Sequence, residues 1–259
     1  MLDESPARTL LALMDRVESG LTLEATLPPM WHWAYLLPEW RQSELGTDGH
    51  PTAGLPAPPA PGQRRMFAGG RTTHHNRLVI GPPARKSSYV VSTTEKTGRS
   101  GVLTFVKDRH EIEQMGQLCV TEEQDIVYRA PSPGGAPAAQ VSEPPRRADL
   151  EFAFDVDPVV LFRFSSVTRN AHRIHYDLPY AAVEGYADLV VHGPLQIVLM
   201  AGVLRQLGLS FDAREFSYRL QAPAIGAQRL VIRGGRDGWA EVRDASGSVT
   251  AVAELAPAS

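Results

Sequence analysis

Residues 193–208, GPLQIVLMAGVLRQLG, constrain the fold more than any other segment of the chain. Gly193 and Pro194 are typical of a helix start, and Gly208 is typical of a helix end. Between them the apolar residues do not keep to one face, so the predicted helix must be buried on nearly all sides. An antiparallel sheet wrapped around the helix would bury it. Four alternating segments separated by turn signals follow it as predicted strands: Phe216–Leu220, Gln228–Arg233, Trp239–Arg243 and Thr250–Leu255.

The first half of the chain repeats this pattern coarsely. A helix is predicted over Arg8–Val17, and a short aromatic helix starts at Met30 and stops at Pro38. The segment GRSG at 98–101 is typical of a hairpin turn. Predicted strands in this half are Leu78–Ile80, Ser88–Thr94, Val102–Ile112 and Leu118–Tyr128. The second half opens with a predicted strand, Leu150–Asp155, and a helix, Pro158–Ser165. The pattern indicates an α+β fold.

Two proline-rich stretches punctuate the sequence, residues 48–63 and 130–147, with five prolines each. Proline fixes φ and lacks an N–H, so no regular helix or central strand is predicted through either stretch. The second has little to bury near its middle and is predicted to be a linker. The predicted division is therefore a domain over 1–130, a linker over 131–147 and a domain over 148–259.

Composition excludes several function classes. Lys and Arg number 26 against 29 Asp and Glu, so extended nucleic-acid binding has no electrostatic footprint. The most apolar stretch, residues 189–204, is interrupted by His192 and Gln196, which argues against a membrane span. The only cysteine, Cys119, fits a reducing cytoplasm. Asp3 and Glu4, with no basic stretch before them, argue against a signal peptide.

The densest polar cluster is TRNAHRIHYD at 168–177, between a predicted helix and the buried helix. Asp177 is predicted to cap the helix that follows it, because Asp is a favoured N-cap and Pro179 fits the first turn. His175 is either a catalytic base or a hydrogen-bonded structural histidine. At Gly193, the backbone N–H at the positive end of the buried helix could stabilise a carbonyl oxygen that gains charge. A plain Gly-Pro helix start explains Gly193 equally well.

Two blocks, LFRFSSVTRNAHRIHYDLPYA and GYADLVVHGPLQ, resemble the MaoC-like (R)-specific enoyl-CoA hydratases. The likeness is greatest to their two-hot-dog branch, which includes the itaconyl-CoA and mesaconyl-C4-CoA hydratases and the mitochondrial-type 3-hydroxyacyl-thioester dehydratases. In the first half, LPPMWHWAYLLPEW, SELGTDGHP and RRMFAGGR resemble the degenerate first hot dog of that branch. The resemblance implies a double hot-dog fold, in which an antiparallel sheet wraps around a central helix in each half. The halves are expected to share a continuous sheet.

The resemblance also implies roles for individual residues. His175 falls on the family's catalytic histidine and Gly193 on the donor that polarises the thioester carbonyl. Asn170 falls on a position where the wider family has aspartate. Asn can orient a water but cannot take its proton, so His175 would do most of the acid–base work. Arg173 and His192 are predicted to contact the substrate, with Arg173 suited to a carboxylate.

The implied function is a hydro-lyase that adds water to an α,β-unsaturated acyl-CoA. The expected substrate is a short dicarboxylic one, itaconyl-CoA or mesaconyl-C4-CoA, hydrated to citramalyl-CoA. A 3-hydroxyacyl-thioester dehydratase of fatty-acid metabolism and a non-catalytic thioester-binding protein are the alternatives. The HYD motif at 175–177 with His192 also imitates an iron-binding triad. The expectation is nevertheless no metal and no cofactor, with acyl-CoA as the partner, no nucleic acid or membrane, and homodimer formation left open.

Overall fold

One antiparallel sheet of nine strands runs through the part of the chain that the computed structural model describes, residues 1–15, 22–55, 63–98, 101–130 and 146–258. The strand order is β2-β3-β4-β1-β6-β9-β8-β7-β5. The predicted continuous sheet is therefore confirmed. The strands of the first half are β1 Arg64–His74, β2 Ala84–Gly98, β3 Gly101–Gln114 and β4 Gln117–Arg129. Those of the second half are β5 Leu150–Val156, β6 Arg214–Leu220, β7 Gln228–Gly234, β8 Trp239–Arg243 and β9 Val249–Pro257.

Strands β1 and β6 join the two halves. They pair in antiparallel register from Gly69 opposite Arg219 to Thr73 opposite Glu215. Strand β1 is not among the predicted strands, because its two adjacent glycines are typical of a turn. Close packing explains one of them, since a Cβ on Gly70 would lie 2.2 Å from the carbonyl oxygen of Glu123. Glycine lets the neighbouring strands approach at the junction.

The buried helix predicted in the second half is confirmed as α4, Gly193–Gln206. It packs on β7, β8 and β9, and nine of its fourteen residues are buried. Burial of this apolar surface is worth about 25 cal/mol per Å² removed from water. The helix ends as predicted, with Gly208 in the left-handed conformation at φ +81°. Two shorter helices precede it, α2 Pro158–Thr168 and α3 Leu178–Val183.

The first half departs from the expectation of a central helix in each half. Its described residues contain α1, Ser5–Leu13, and a 3-10 turn, Trp31–Ala34, in place of the predicted aromatic helix. Met30 is left-handed at φ +69° and Tyr35 is extended, so the helix cannot propagate on either side. Both short elements pack against α2 and against each other. They do not form a central helix like α4.

Other details bear on the sequence predictions. Leu78–Ile80 is not a strand, and only an isolated bridge from Thr26 to Val79 forms there. The predicted hairpin is consistent with the pairing of Gly98 and Gly101, and its two central residues lie outside the described residues. Residues 16–17 of the predicted first helix and 131–145 of the predicted linker also lie outside them, and the domain division stays a prediction. No described helix has the length and apolar character needed to cross a membrane.

Candidate active site

His175 lies in the loop between α2 and α3, residues 169–177, which we call the histidine loop. Its ring is buried, and Nδ1 donates a hydrogen bond to the carbonyl oxygen of Val190 at 2.7 Å. This bond fixes the tautomer and leaves the lone pair on Nε2. Burial lowers the pKa of His175 to about 4, although the Val190 bond opposes the shift. The imidazole is therefore neutral at pH 7 and has one nitrogen ready to accept a proton.

His192 stacks on His175, with ring centroids 3.6 Å apart and planes 20° apart. It is the residue before α4 and has no exposed surface. Its Nε2 lies 2.9 Å from the Ser165 hydroxyl, and its Nδ1 has no hydrogen-bond partner among the described residues. Burial lowers the pKa of His192 well below its usual value. The predicted substrate contact of His192 thus corresponds to a buried ring that backs His175.

Gly193 follows His192 and opens α4. Its N–H is among the helix-start donors that have no intrahelical acceptor, and no described residue accepts from it. A Cβ here would lie 2.2 Å from the Leu220 side chain, so glycine allows β6 to pack against the helix start. Gly193 directly follows His192, and the His192 ring stacks on His175, so the start of α4 lies next to the His175 ring.

Asn170 lies at the start of the histidine loop, after α2 ends at a left-handed Arg169 with φ +50°. Its Oδ1 accepts a hydrogen bond from the backbone N–H of His172 at 3.0 Å. Its own N–H donates to the carbonyl oxygen of Ser165 at 2.9 Å. Asn170 therefore shapes the loop with its carbonyl oxygen.

Arg173 is held by hydrogen bonds within the protein, and its contact with the substrate stays a prediction. Nε and Nη2 both donate to Asp177 Oδ2, at 2.9 and 2.7 Å, and Nη1 donates to the Thr47 carbonyl oxygen at 2.9 Å. The guanidinium also lies over the Tyr180 ring at 4.3 Å. Asp177 in turn accepts from the Tyr180 N–H at 3.1 Å, so its predicted helix-capping role is confirmed. This network anchors Arg173 between the loops.

A segment from the first half completes the site, and the sequence analysis assigned it no role. Residues 46–50, the docking loop, lie directly on the histidine loop. The Arg173 N–H donates to the Asp48 carbonyl oxygen at 2.9 Å. Gly49 is left-handed at φ +91°, and a Cβ on it would lie 1.9 Å from the Ala171 carbonyl oxygen. The docking fits only glycine at this position.

The docking loop places His50 against the histidine loop. The His50 ring is 4.2 Å from the His172 ring, which is 5.6 Å from the His175 ring. His50 Nδ1 donates to Asp48 Oδ2 at 2.9 Å. Burial lowers the pKa of His50, although the hydrogen bond that His50 donates to Asp48 opposes the shift. In the sequence His50 belongs to the DGHP segment, which lies at the start of a proline-rich stretch and within the SELGTDGHP block. Neither feature predicts that His50 lies at the site.

Two groups of side chains at the site have the composition of a metal site, and one of them is the iron-binding triad that the sequence imitates. Asp177, the carboxylate of the imitated iron triad, is engaged by Arg173 and by the start of α3. Ligand atoms of Asp48, His50 and His172 lie within 4.8 Å of one another, but His50 Nδ1 and Asp48 already form a hydrogen-bonded pair. Neither group is assigned a metal here.

A cavity of about 1190 Å³ lies away from these histidines, and polar and charged side chains such as Lys107, Arg219 and Arg243 line it. None of the histidines described above lines it. The candidate site lies instead at His175 and the start of α4. The proton-accepting nitrogen of His175 and the unbonded N–H of Gly193 are connected there through His192, whose ring stacks on His175.

Comparison with known proteins gives consistent matches. Residues 30–226 match the family described as hydroxyacyl-thioester dehydratase type 2. The chain is 46% identical to a mesaconyl-C4-CoA hydratase of Chloroflexus aurantiacus, over 87% of this chain and 81% of that protein. HtdX of Mycobacterium tuberculosis has a similar structure, with a TM-score of 0.69 at 15% identity over 98% of this chain and 95% of HtdX. A second M. tuberculosis protein, described as a double hot dog, has a TM-score of 0.62 at 16% identity over 99% of this chain and 92% of its own. The predicted double hot-dog fold is confirmed.

Proposed function

The chain belongs to the hydroxyacyl-thioester dehydratase type 2 family, and from that membership we propose that it is a hydro-lyase acting on a short dicarboxylic enoyl-CoA. It adds water across the α,β double bond of mesaconyl-C4-CoA to give citramalyl-CoA. In itaconyl-CoA the double bond lies between the β- and γ-carbons, so a proton must first move from the α-carbon to the γ-carbon before the same addition gives citramalyl-CoA. The 46% identity to a mesaconyl-C4-CoA hydratase supports this substrate class. The geometric observation that carries the reaction is the neutral His175, whose free Nε2 lies beside the start of α4.

His175 is the acid–base group. Its Nε2 accepts a proton from a bound water while the water oxygen adds to the β-carbon. The imidazolium formed can return that proton to the α-carbon, so no other proton carrier is needed. Because burial disfavours the charged ring, the imidazolium is short-lived and favours return of the proton.

Gly193 stabilises the charge that develops on the thioester oxygen. When water adds to the β-carbon, electron density moves to the carbonyl oxygen and gives an enolate. An N–H that is already oriented at a helix start can donate a hydrogen bond to this oxygen and stabilise its charge without reorganising. The unbonded N–H of Gly193 fits this role.

Asn170 and His192 support His175. The carbonyl oxygen of Asn170 already accepts from the His172 N–H, so its amide group is the part that can orient the water. His192 packs on the face of His175 and is held by Ser165, so it limits the positions the catalytic ring can take. We infer that both act by positioning.

The runner-up function is a 3-hydroxyacyl-thioester dehydratase with a long acyl chain, as the family description allows. A long chain requires an apolar tunnel. In the first half, Thr72, Asp108 and Glu122 are buried with no exposed surface. Polar groups at these depths favour a short polar acyl group over a fatty one.

Finer points of the proposal concern its setting. We propose that the enzyme acts in itaconate degradation in the cytoplasm, where the single buried thiol of Cys119 would stay reduced. We also propose that its two domains are residues 1–130 and 148–259. Light scattering of the purified protein decides between a monomer and a homodimer.

A substrate panel tests the function. Itaconyl-CoA, mesaconyl-C4-CoA, crotonyl-CoA and octenoyl-CoA are assayed side by side by chromatographic separation of each substrate from its hydrated product. We expect both dicarboxylic substrates to exceed the other two in kcat/KM. A preference for crotonyl-CoA or octenoyl-CoA would contradict the dicarboxylic assignment and leave the hydratase assignment standing.

The variant His175→Ala tests the mechanism on the preferred substrate. We expect a loss of about 10²–10⁴-fold in kcat, which is typical for removal of a general acid–base group. The matched control is His75→Ala, since the His75 side chain is exposed and its ring hydrogen-bonds to Thr121 in the first half. Unchanged turnover in His175→Ala would refute the assignment of the site, and absence of turnover in the unaltered protein would favour a thioester-binding role.

A further inference from the structure

Arg65 is the arginine nearest the histidine cluster that lacks a carboxylate partner among the described residues. It lies on β1, directly opposite Tyr128 of β4. Its Nη1 donates to His50 Nε2 at 3.4 Å. Its Nε is buried and has no hydrogen-bond partner in the described part of the chain. The Tyr128 hydroxyl also forms a hydrogen bond with the Arg65 guanidinium, so the buried Nε–H is the donor of Arg65 that has no partner in the described part of the chain.

Neighbouring arginines are already neutralised. Arg64 pairs with Glu184 at 3.4 Å. Arg71 pairs with Glu123 at 2.9 Å, and Arg173 pairs with Asp177 at 2.7 Å. An arginine in such a pair must lose its partner before it can bind another carboxylate, which costs part of the energy gained. The described residues contain no ion pair of Arg65, although its charge acts on the buried Asp108.

The docking loop orients Arg65 toward the site. His50 donates from Nδ1 to Asp48, so its Nε2 keeps a lone pair that accepts from Arg65. The same His50 ring packs on His172, the neighbour of His175. The charge of Arg65 contributes, after burial, to lowering the pKa of His172. The guanidinium thus lies at the end of the histidine cluster formed by the first half.

We propose that Arg65, oriented by His50 and Asp48, binds the free carboxylate of the dicarboxylic acyl group. This inference rests on the proposed function. In mesaconyl-C4-CoA and itaconyl-CoA the carboxylate is attached to the carbon that receives the hydroxyl group. It must therefore lie close to the water that His175 activates. A planar guanidinium with a buried, unbonded Nε–H matches that carboxylate.

Asp108 is the internal competitor for Arg65. It lies on β3, is completely buried, and neither carboxylate oxygen has a hydrogen-bond partner among the described residues. Burial raises the pKa of Asp108, and the charge of Arg65 opposes that shift. If Arg65 exists only to compensate Asp108, then removing either group should have the same effect. If Arg65 binds substrate, the two variants should differ.

The experiment measures kcat/KM on a matched pair of substrates. The partner of mesaconyl-C4-CoA is (Z)-but-2-enoyl-CoA, which has hydrogen in place of the carboxylate and the same arrangement of the methyl group, so the ratio of the two values isolates the carboxylate contact. The variants are Arg65→Met, Arg65→Lys and Asp108→Asn. Arg71→Met is the control, because it removes a paired and half-exposed arginine from the same strand.

We expect Arg65→Met to lower the ratio by about 10- to 100-fold, the usual range for a lost charged hydrogen bond. Arg65→Lys should lower it less, because the charge stays and the fork is lost. Asp108→Asn should leave the ratio unchanged or raise it, and Arg71→Met should leave it unchanged.

Equal losses on both substrates in Arg65→Met, or a fall of the ratio in Asp108→Asn that matches Arg65→Met, would overturn the inference. If Arg65→Met does not fold, Arg65→Lys and Asp108→Asn still decide. Failure of the proposed function has a different signature, because the unaltered protein would then hydrate neither substrate or would show no preference for mesaconyl-C4-CoA before any substitution.

Discussion

Asn170 is the residue where this chain departs from the wider family, and its two amide atoms have different tasks. The Oδ1 atom holds the histidine loop through the His172 N–H, and Nδ2 is proposed to orient the water. We expect Asn170→Ala to lower kcat/KM by less than the ~10²–10⁴-fold expected for His175→Ala, because no proton passes through Asn170. Asn170→Asp keeps the loop acceptor and should retain activity or raise it. A loss in Asn170→Ala equal to that in His175→Ala would contradict a positioning role.

His175 determines the pH dependence. Its pKa is lowered by burial to about 4, so the proton-accepting form persists at neutral pH and is lost as pH falls through that value. We expect kcat/KM on crotonyl-CoA to be flat from about pH 6 to 8 and to fall below about pH 5. Crotonyl-CoA is chosen because it has no free carboxylate to titrate. An inflection near the ordinary histidine pKa of about 6.5 would contradict the buried, neutral state of His175.

At this scale the sequence predicted those residues whose neighbours are close in the chain. Asp177 caps α3 and Gly193 opens α4 because both roles depend on adjacent residues. The hydrogen bond from Arg173 to Thr47 was not predicted, because the two residues are 126 positions apart. The places of His50 and Arg65 likewise depend on the docking of two distant loops, which no local pattern contains.

The docking loop is the element that brings the two halves together at the site. Gly49→Ala introduces a side chain at φ +91° and within 1.9 Å of the Ala171 carbonyl oxygen, so the loop must shift. We expect a loss of at least 10-fold in kcat/KM and about 1–3 kcal/mol of stability. Gly116→Ala is the control, because Gly116 has φ +75° but nothing within 4 Å of the added Cβ. It should lose stability alone, and a similar loss of activity in both variants would contradict the importance of docking.

The predictability of the elements follows from their periodicity. Strand β8 was predicted with its observed bounds, and α4 within one residue, because their apolar patterns are regular. Strand β1 was missed because Gly69 and Gly70 satisfy a packing requirement rather than a turn. The second central helix was expected from resemblance, and the left-handed Met30 shows why the chain does not continue as a helix there.

For the whole molecule, Glu122 links the halves near the sheet junction. This buried carboxylate accepts from Trp33 and Gln124 at 2.8 Å and from Tyr218 of the second half at 3.1 Å, and lies 3.1 Å from His32. Burial opposes its ionisation, but the hydrogen bond and charge of His32 outweigh burial and lower its pKa.

We expect Glu122→Gln to lower the free energy of unfolding by about 3 kcal/mol, because buried donors lose their charged acceptor. Denaturant unfolding measures this change. The control Glu113→Gln alters an exposed residue of β3 and should stay within about 0.5 kcal/mol. Equal stability of Glu122→Gln and the unaltered protein would show that the junction does not depend on this carboxylate.

The docking of residues 46–50 on the histidine loop has a consequence for mass action. Both segments belong to one polypeptide, so bringing them together is a unimolecular event whose effective concentration the chain itself sets. A site built from two separate subunits is lost when dilution separates them. Here turnover per chain should stay constant on dilution, whether or not two chains associate at high concentration.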